Sequence, residues 1–159
     1  MITALILAGM INMGVSADPP QRAIEHMSAL SVSSSDTSGW MPSLYHGLYY
    51  QKGQGQYRRC VMTRESHINY LAANKHSSAR GAYQFLDNNW RKPMVWMMLK
   101  ESKITNDSLS ETILTLVNKP MNKWSRYFQD RAFFTALNIR GRYVGSNHWN
   151  ADGPGCSVG

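Results

Sequence analysis

Glu65 is the residue whose type and position best suit chemistry. On a helical period its neighbours at i±3 and i±4 are Val61, Met62, Ile68 and Asn69. Three of the four are apolar, so the pattern predicts a carboxyl group that faces a buried surface or a cleft. Apolar surroundings disfavour the charged form, and a neutral carboxylic acid can donate the proton that glycosidic bond cleavage requires. The alternative is a solvated carboxylate at the edge of the helix, beside Arg64.

Uncharged hydrogen-bonding side chains follow Glu65 in the sequence. They are of the kind that bind sugar hydroxyls: Asn69, Asn74, Ser77 and Ser78. The segment Gly81–Phe85 comes next, at a distance that lets a turn fold back over the helix. The order of these residues therefore indicates a polar cleft beside a single acid.

This pattern resembles the catalytic segment of the lysozyme-like lytic transglycosylases. It is especially similar to the small forms related to resuscitation-promoting factors and to the transglycosylase domains of phage virion proteins. The matching residues are Cys60, Arg64-Glu65-Ser66, Asn69-Tyr70, Asn74, Ser77-Ser78, Gly81-Ala82-Tyr83-Gln84-Phe85 and Trp90. A weaker match continues through Gln129, Trp149 and Cys156.

The resemblance implies a fold and a site. The fold is mainly α (α+β, lysozyme-like), a compact helical domain with a short extended segment that lines a sugar cleft. Glu65 is the implied catalytic acid, acting on the β-1,4 bond between N-acetylmuramic acid and N-acetylglucosamine. The implied substrate-binding residues are Ser66, Tyr70, Ser78, Tyr83 and Gln84. Among these, Ser66 would orient the acid, and the two tyrosines would shape the cleft wall.

Acidic residues are scarce around this site. An inverting hydrolase needs a second carboxylate as base, and most retaining ones need it as nucleophile. None occurs from Ser66 to Leu86, and the candidates after that stretch are Asp87, which we interpret as a helix N-cap, and Asp130. Lytic transglycosylases use one carboxylate, first as acid and then as base, and leave a 1,6-anhydro sugar. The scarcity favours a transglycosylase, with lysozyme-type hydrolysis as the alternative.

Two cysteines, Cys60 and Cys156, are present. In the resuscitation-promoting-factor-like proteins, a cysteine just before the catalytic Glu is bonded to one near the C-terminus, so the resemblance implies a disulfide here. Such a bond would place the protein outside the cytoplasm. The alternative is a pair of free thiols in a reducing compartment. No Cys or His spacing indicates a metal, and we expect no cofactor.

Composition bounds the partners. With 159 residues the chain suits one domain, and its net charge of +7 indicates an acidic partner: nucleic acid, anionic lipid or a polyanionic cell wall. The basic residues are scattered and form no nucleic-acid motif. We therefore favour the glycan strands of peptidoglycan, or a simply solvated surface, over nucleic acid.

The chain divides into three predicted parts. Residues 1–17 form an uncharged apolar leader, too short for a membrane-spanning helix, which is either a signal peptide or a helix that packs on a neighbouring subunit. Residues 18–56 form a Ser-rich and aromatic arm that wraps the domain or contacts other virion or envelope proteins. Residues 57–159 form the lysozyme-like catalytic domain.

Periodicity and capping residues predict the helices of that domain. The catalytic helix is expected from about Gln56 to Ala73, and the next begins at Leu86–Asn88. A capping box at Ser108–Glu111 opens a helix to about Asn118, and the longest amphipathic helix runs from Asn122 towards Gly141.

Two functions are consistent with these features. The first is a wall-cleaving lytic transglycosylase that is secreted, periplasmic or carried in a phage particle to open peptidoglycan when the genome enters the cell. The alternative is a structural virion or envelope subunit that keeps a lysozyme-like fold with little or no catalysis.

Overall fold

A computed structural model describes residues 42–149 and 155–157. Within this part the helices are α1 (Gly55–Ser66), α2 (Asp87–Thr105), α3 (Ser110–Thr115) and α4 (Arg126–Asn138). The strands are β1 (Ala79–Arg80) and β2 (Phe85–Leu86). Short 3-10 turns lie at Lys52–Gln54, Leu116–Asn118, Met121–Lys123 and Val144–His148. The prediction of a mainly helical chain with little extended structure is confirmed.

Helix α4 runs through the middle of the core, since twelve of its thirteen residues are buried. The sequence predicted an amphipathic helix over Asn122–Gly141, but α4 is shorter and begins only after the N-cap Ser125. A helix that is buried all round brings its charged side chains into the core. Each of those charges needs a partner there, because an unpaired buried charge is costly.

Helix α1 ends earlier than predicted, at Ser66 instead of near Ala73. Its buried face consists of Tyr57, Arg58, Val61 and Met62, which recur at i and i+4. The helix stops because His67 and Ile68 adopt left-handed backbone conformations, with φ of 53° and 66°. A β-branched residue rarely adopts this conformation, so the surrounding structure imposes the turn at Ile68.

An antiparallel hairpin follows α1. Its register places Ala79 opposite Leu86 and Arg80 opposite Phe85. The predicted extended segment Gly81–Phe85 is mostly the turn between the strands, with φ of +78° at Gly81 and 50° at Gln84. A Cβ atom on Gly81 would lie 2.3 Å from Gln129 Oε1, so the turn requires glycine.

Helix α2 has 19 residues and contains Pro93. The predicted N-cap role of Asp87 is wrong, because Leu86 is the N-cap and Asp87 is the first helical residue. The Asp87 carboxylate accepts a hydrogen bond of 2.7 Å from Met121 N–H and pairs with Arg91 at 3.2 Å. It therefore ties the start of α2 to the segment before α4.

The predicted capping box at Ser108–Glu111 does not form. The N-cap of α3 is Leu109, which makes no side-chain cap bond, and Ser108 has a φ of 60°. Asp107 organises this turn instead, since its Oδ1 accepts the Leu109 N–H at 3.0 Å. The 3-10 turn after α3 still ends at Asn118, as predicted.

The described part of the arm, residues 42–56, belongs to the same core. Leu44 N–H donates to Asp130 at 3.0 Å, and the buried Tyr45 donates its hydroxyl to Glu101. The arm thus wraps the domain at these residues, which is one of its two predicted roles. The apolar leader and the Ser-rich stretch lie outside the described residues. Among those described, we find no helix with the length and hydropathy needed to cross a bilayer.

A disulfide joins Cys60 on α1 to Cys156, with a sequence separation of 96. It confirms the pairing implied by the family resemblance. Cys156 is buried against the core, so the bond fixes residues 155–157 on α1.

We expect the double variant Cys60→Ser/Cys156→Ser to lower the free energy of unfolding by about 4 to 5 kcal/mol, the chain-entropy estimate for a loop of this length. The reason is that the bond restricts the unfolded chain. Urea unfolding of the parent and the variant under oxidising conditions measures the difference. Equal unfolding midpoints would mean that the bond does not form in solution.

Candidate functional site

Glu65 lies one residue before the end of α1, with its side chain 26% exposed. Its predicted neighbours Val61 and Met62 are completely buried, whereas Ile68 is half-buried and Asn69 is exposed. The carboxyl group thus lies at the border between the core and solvent. This position allows contact with a ligand, but it is less enclosed than the sequence predicted.

Arg64 is the immediate partner of Glu65. Glu65 Oε1 accepts hydrogen bonds from Arg64 Nε at 3.0 Å and from Arg64 Nη2 at 2.7 Å. Its surroundings are therefore charged on one side, in addition to the apolar neighbours Val61 and Met62. The ion pair matches the alternative of an edge carboxylate beside Arg64, and Arg64 would have to move before Glu65 could act on a ligand.

Ser66 connects the end of α1 to the hairpin turn. Its hydroxyl donates to Ala82 O at 2.8 Å and accepts the Asn69 N–H at 3.1 Å. It makes no hydrogen bond to Glu65, so the predicted orienting role is replaced by a connecting one. Through this bond the structure holds the turn that carries Gln84 beside the residue that follows Glu65.

Gln84 and Ser78 are half-buried on the hairpin. Gln84 Nε2 donates to Gly81 O at 2.8 Å, which holds its side chain against the turn. Within the described part of the chain, Gln84 Oε1 accepts no hydrogen bond. Ser78 uses its backbone oxygen to accept the Asp87 N–H at 2.9 Å. The assignment of Gln84 and Ser78 to substrate binding remains a prediction.

Asn69 and Asn74 support the turns around the site. Asn69 Oδ1 accepts the Leu71 N–H at 2.9 Å, and Asn74 Oδ1 accepts the His76 N–H at 2.8 Å. These are local side-chain to backbone bonds of the Asx type. They give both residues the turn-supporting role.

Tyr70 and Tyr83 are not on a cleft wall, contrary to the prediction. They are 7% and 1% exposed, and their hydroxyls donate to Asp130 Oδ1 at 2.7 and 2.6 Å. Arg58 donates to the same oxygen at 3.0 Å. The hydroxyl of a tyrosine bonds a buried carboxylate as readily as a sugar, which is why the residue type alone misled the prediction.

Asp130 is the centre of this cluster and is completely buried. Its other oxygen, Oδ2, accepts the Leu44 N–H at 3.0 Å and lies 3.8 Å from Arg126 Nε. Asp87 is likewise bound within the core. Neither of these two carboxylates, the candidates for a second catalytic group, is therefore placed to act as one.

Burial and charge set the ionisation of the cluster. Burial raises the pKa of both Tyr70 and Tyr83, and the adjacent Asp130 charge raises it further. Burial lowers the pKa of Arg58, but the Asp130 charge and the two phenols raise it by more. The pKa of Arg58 therefore lies well above its ordinary value. The cluster is thus a charged pair with two neutral hydroxyls.

Gln129 of α4 holds the hairpin turn in place through its side-chain amide. Its Oε1 accepts the Ala82 N–H at 3.0 Å, and its Nε2 donates to Tyr70 O and Trp124 O, each at 3.0 Å. Sequence reasoning noted Gln129 only as a weak motif match. Its hydrogen bonds are made to segments distant in sequence, so no local signal indicated them.

A cavity of about 230 Å³ lies elsewhere on the domain. Its walls are Trp90, Met97, Ala136, Ile139, Arg140, Val144, Gly145, Asn147 and His148. Glu65 is not among them, so this cavity and the predicted acid are separate features. Burial lowers the pKa of His148 in its wall, and Arg140 adds to that effect.

In the part of the chain that the structure describes, no group of three His, Cys, Asp or Glu residues is arranged to hold a metal ion. Comparison of the chain with models of protein families, with curated proteins and with solved structures finds no match.

We expect Asp130→Asn to lower the free energy of unfolding by about 3 to 5 kcal/mol, because it removes the carboxylate that balances the buried charge of Arg58. Glu111→Gln, at an exposed carboxylate of α3, is the control and should change stability by less than about 0.5 kcal/mol. Urea unfolding of both variants provides the measurement. A loss below about 1 kcal/mol for Asp130→Asn would contradict this central role.

Alkaline pH should weaken the cluster. A phenol whose pKa is raised by folding contributes stability that is complete below its unfolded pKa of about 10 and is lost as the pH rises through the folded value. Between pH 10 and 11 the parent should lose up to about 1.4 kcal/mol more stability than Tyr83→Phe, which lacks one such group. Urea unfolding at both pH values measures this, and parallel losses in the two proteins would contradict it.

Proposed function

We propose that this protein is a lytic transglycosylase that cleaves the β-1,4 bond between N-acetylmuramic acid and N-acetylglucosamine in peptidoglycan. The proposal is carried by one observation. Glu65 is partly exposed at the end of α1, and the next residue, Ser66, bonds at 2.8 Å to Ala82 O in the turn that bears Gln84. The resemblance of the segment to that family supplies the substrate.

In the proposed reaction, Glu65 donates a proton to the glycosidic oxygen as the bond to the sugar C1 breaks. The resulting carboxylate then accepts the proton of the 6-hydroxyl of the same muramic acid, whose oxygen bonds to C1. The products are a 1,6-anhydro sugar and a free 4-hydroxyl, and the acid is regenerated. Because Asp87 and Asp130 are bound within the core, a mechanism with one carboxylate is favoured over lysozyme-type hydrolysis.

Arg64 must leave Glu65 before the proton can be transferred. The muramic acid of peptidoglycan carries a lactyl group, whose carboxylate or attached acidic peptide gives the guanidinium a new partner. Arg64 is itself 30% exposed, so its side chain has room to turn towards a bound glycan. Substrate binding would then release the acid only when a muramic acid is present.

The hairpin would hold the glycan. Gln84 Oε1 would accept a hydrogen bond from an N-acetyl or hydroxyl group, and Ser78 would contact a further hydroxyl. The tyrosines Tyr70 and Tyr83 would act indirectly, since their bonds to Asp130 fix the hairpin on α4.

The disulfide supports a place of action in an oxidising environment outside the cytoplasm. That place would be a phage particle or the secreted or periplasmic space, where the enzyme meets the wall. Any contact with other virion or envelope proteins would be made through residues 1–56.

The alternative is a structural virion or envelope subunit with a lysozyme-like fold. The observation that favours it is the ion pair between Glu65 and Arg64, in which the predicted acid already has a partner. In that case Glu65 would be a surface residue of α1 that pairs with Arg64, and its replacement would not affect any reaction.

The decisive variant is Glu65→Gln, which keeps the shape of the side chain and removes the acid. We expect it to reduce clearing of a peptidoglycan suspension by at least about a hundredfold, because general acid catalysis contributes on that scale or above. Glu111→Gln removes the same charge from an exposed carboxylate and should retain parental activity. Zymography on a peptidoglycan gel gives the same comparison for the separated chains.

Mass spectrometry of the released sugars then identifies the reaction. Anhydro-muramic acid ends are expected from a transglycosylase, whereas reducing ends would show a hydrolase. Equal clearing by the parent and Glu65→Gln would refute the assignment of the acid. No clearing by a folded parent would leave the structural subunit as the better description.

A further inference from the structure

The outer face of α2 carries a tryptophan in solvent. Trp96 is 66% exposed, although it lies in the middle of a helix that otherwise contributes to the core. An indole ring gains much of its stabilising energy from burial, so an exposed one is informative. Packing within the described residues does not account for this side chain.

Lysines surround Trp96 on the same face. Lys92 and Lys100 lie one helical turn before and after it, and Lys103 lies two turns after it. All three are exposed, and within the described residues none of them forms an ion pair. We call these four residues the Trp96 face. It presents an aromatic ring between three positive charges.

The helix that bears the Trp96 face is rigidly held. Its opposite side buries Met94, Val95, Met98 and Leu99 in the core. One turn further along, Glu101 forms a buried ion pair of 2.9 Å with Arg131 of α4. The face is therefore presented in a fixed arrangement, which reduces the entropy lost when a ligand binds.

We propose that the Trp96 face binds an anionic glycan of the cell wall, apart from the bond that is cleaved. A sugar ring would stack on the indole, while carboxylate or phosphate groups of the polymer would pair with Lys92, Lys100 and Lys103. The choice of a wall glycan as the partner rests on the proposed function. The binding itself requires no catalysis and would keep the domain on an insoluble substrate between cleavages.

A glycan suits this face better than a membrane or a nucleic acid. Helices that lie in a membrane surface insert a broad apolar face, but the apolar face of α2 is used in the core. Besides Trp96, the exposed apolar side chains of this helix are Pro93, one turn before it, and Ile104 near the end. The disulfide indicates an oxidising compartment, where wall polymers are abundant and nucleic acid is not the expected partner.

The test measures sedimentation with insoluble peptidoglycan sacculi in the Glu65→Gln chain, which leaves the wall intact. Adding Trp96→Ala, or Lys92→Gln/Lys100→Gln/Lys103→Gln together, should weaken binding by about tenfold, which is in the range that stacking and charge contacts supply. The matched control is Lys52→Gln/Lys119→Gln/Lys123→Gln, which removes the same charge from other exposed positions and should bind within about twofold of its parent. Thermal melting confirms that each variant is folded.

Unchanged sedimentation in both test variants would overturn the proposal. The proposal would also be overturned if the test variants still bound sacculi but lost binding to phosphatidylglycerol vesicles or to a single-stranded oligonucleotide. That result would assign the face to a membrane or to nucleic acid. With Glu65 present, Trp96→Ala should cleave short soluble glycans at the parental rate. Loss of cleavage by Glu65→Gln and loss of sedimentation by Trp96→Ala are separate measurements, so either proposal can fail without the other.

Discussion

A single buried carboxylate, Asp130, organises this domain. It lies in the centre of α4 with no exposure to solvent, and its charge must be satisfied entirely by the protein. The groups that do so come from different parts of the chain: Leu44 from the arm, Arg58 from α1, Tyr70 from the loop and Tyr83 from the hairpin. Because each of them must reach the same side chain, the relative positions of these segments are fixed together.

The same helix holds a second buried charge one residue further on. Arg131 pairs with Glu101 of α2 and with Asp107 before α3. Two adjacent residues of α4 therefore hold α2 and the start of α3 as well as the segments that bond to Asp130. Gln129 completes the set by clamping the hairpin. These contacts fix the hairpin turn and the end of α1 where Ser66 bonds to it, although Glu65 takes no part in them. The contacts of the core thus set the position of the proposed site, whose acid is itself partly exposed and paired with Arg64.

Much of the helical architecture could be predicted from the sequence, because the apolar residues of α1 and α4 recur at helical spacing. The end of α1 could not, since the β-branched Ile68 disfavours the left-handed backbone that it adopts, and that conformation depends on tertiary contacts. The capping box could not be excluded from the sequence either, because Ser108 adopts a left-handed backbone and Asp107 organises the turn by accepting the Leu109 N–H. Tyr70 and Tyr83 show the limit for sites: a phenol next to an acid motif suits a sugar, but here it serves a carboxylate distant in sequence.

The disulfide has a consequence for the timing of assembly. Cys60 lies on the same helix as Glu65, whereas its partner is residue 156, so the bond can close only after nearly all of the domain has been synthesised. In a reducing compartment both cysteines of a newly made chain would remain free thiols. Residues 155–157 would then not be bonded to α1. The finished, locked form would then arise upon transfer to oxidising surroundings. The proposed transfer out of the cytoplasm would in this way also be the step that completes the covalent structure of the protein.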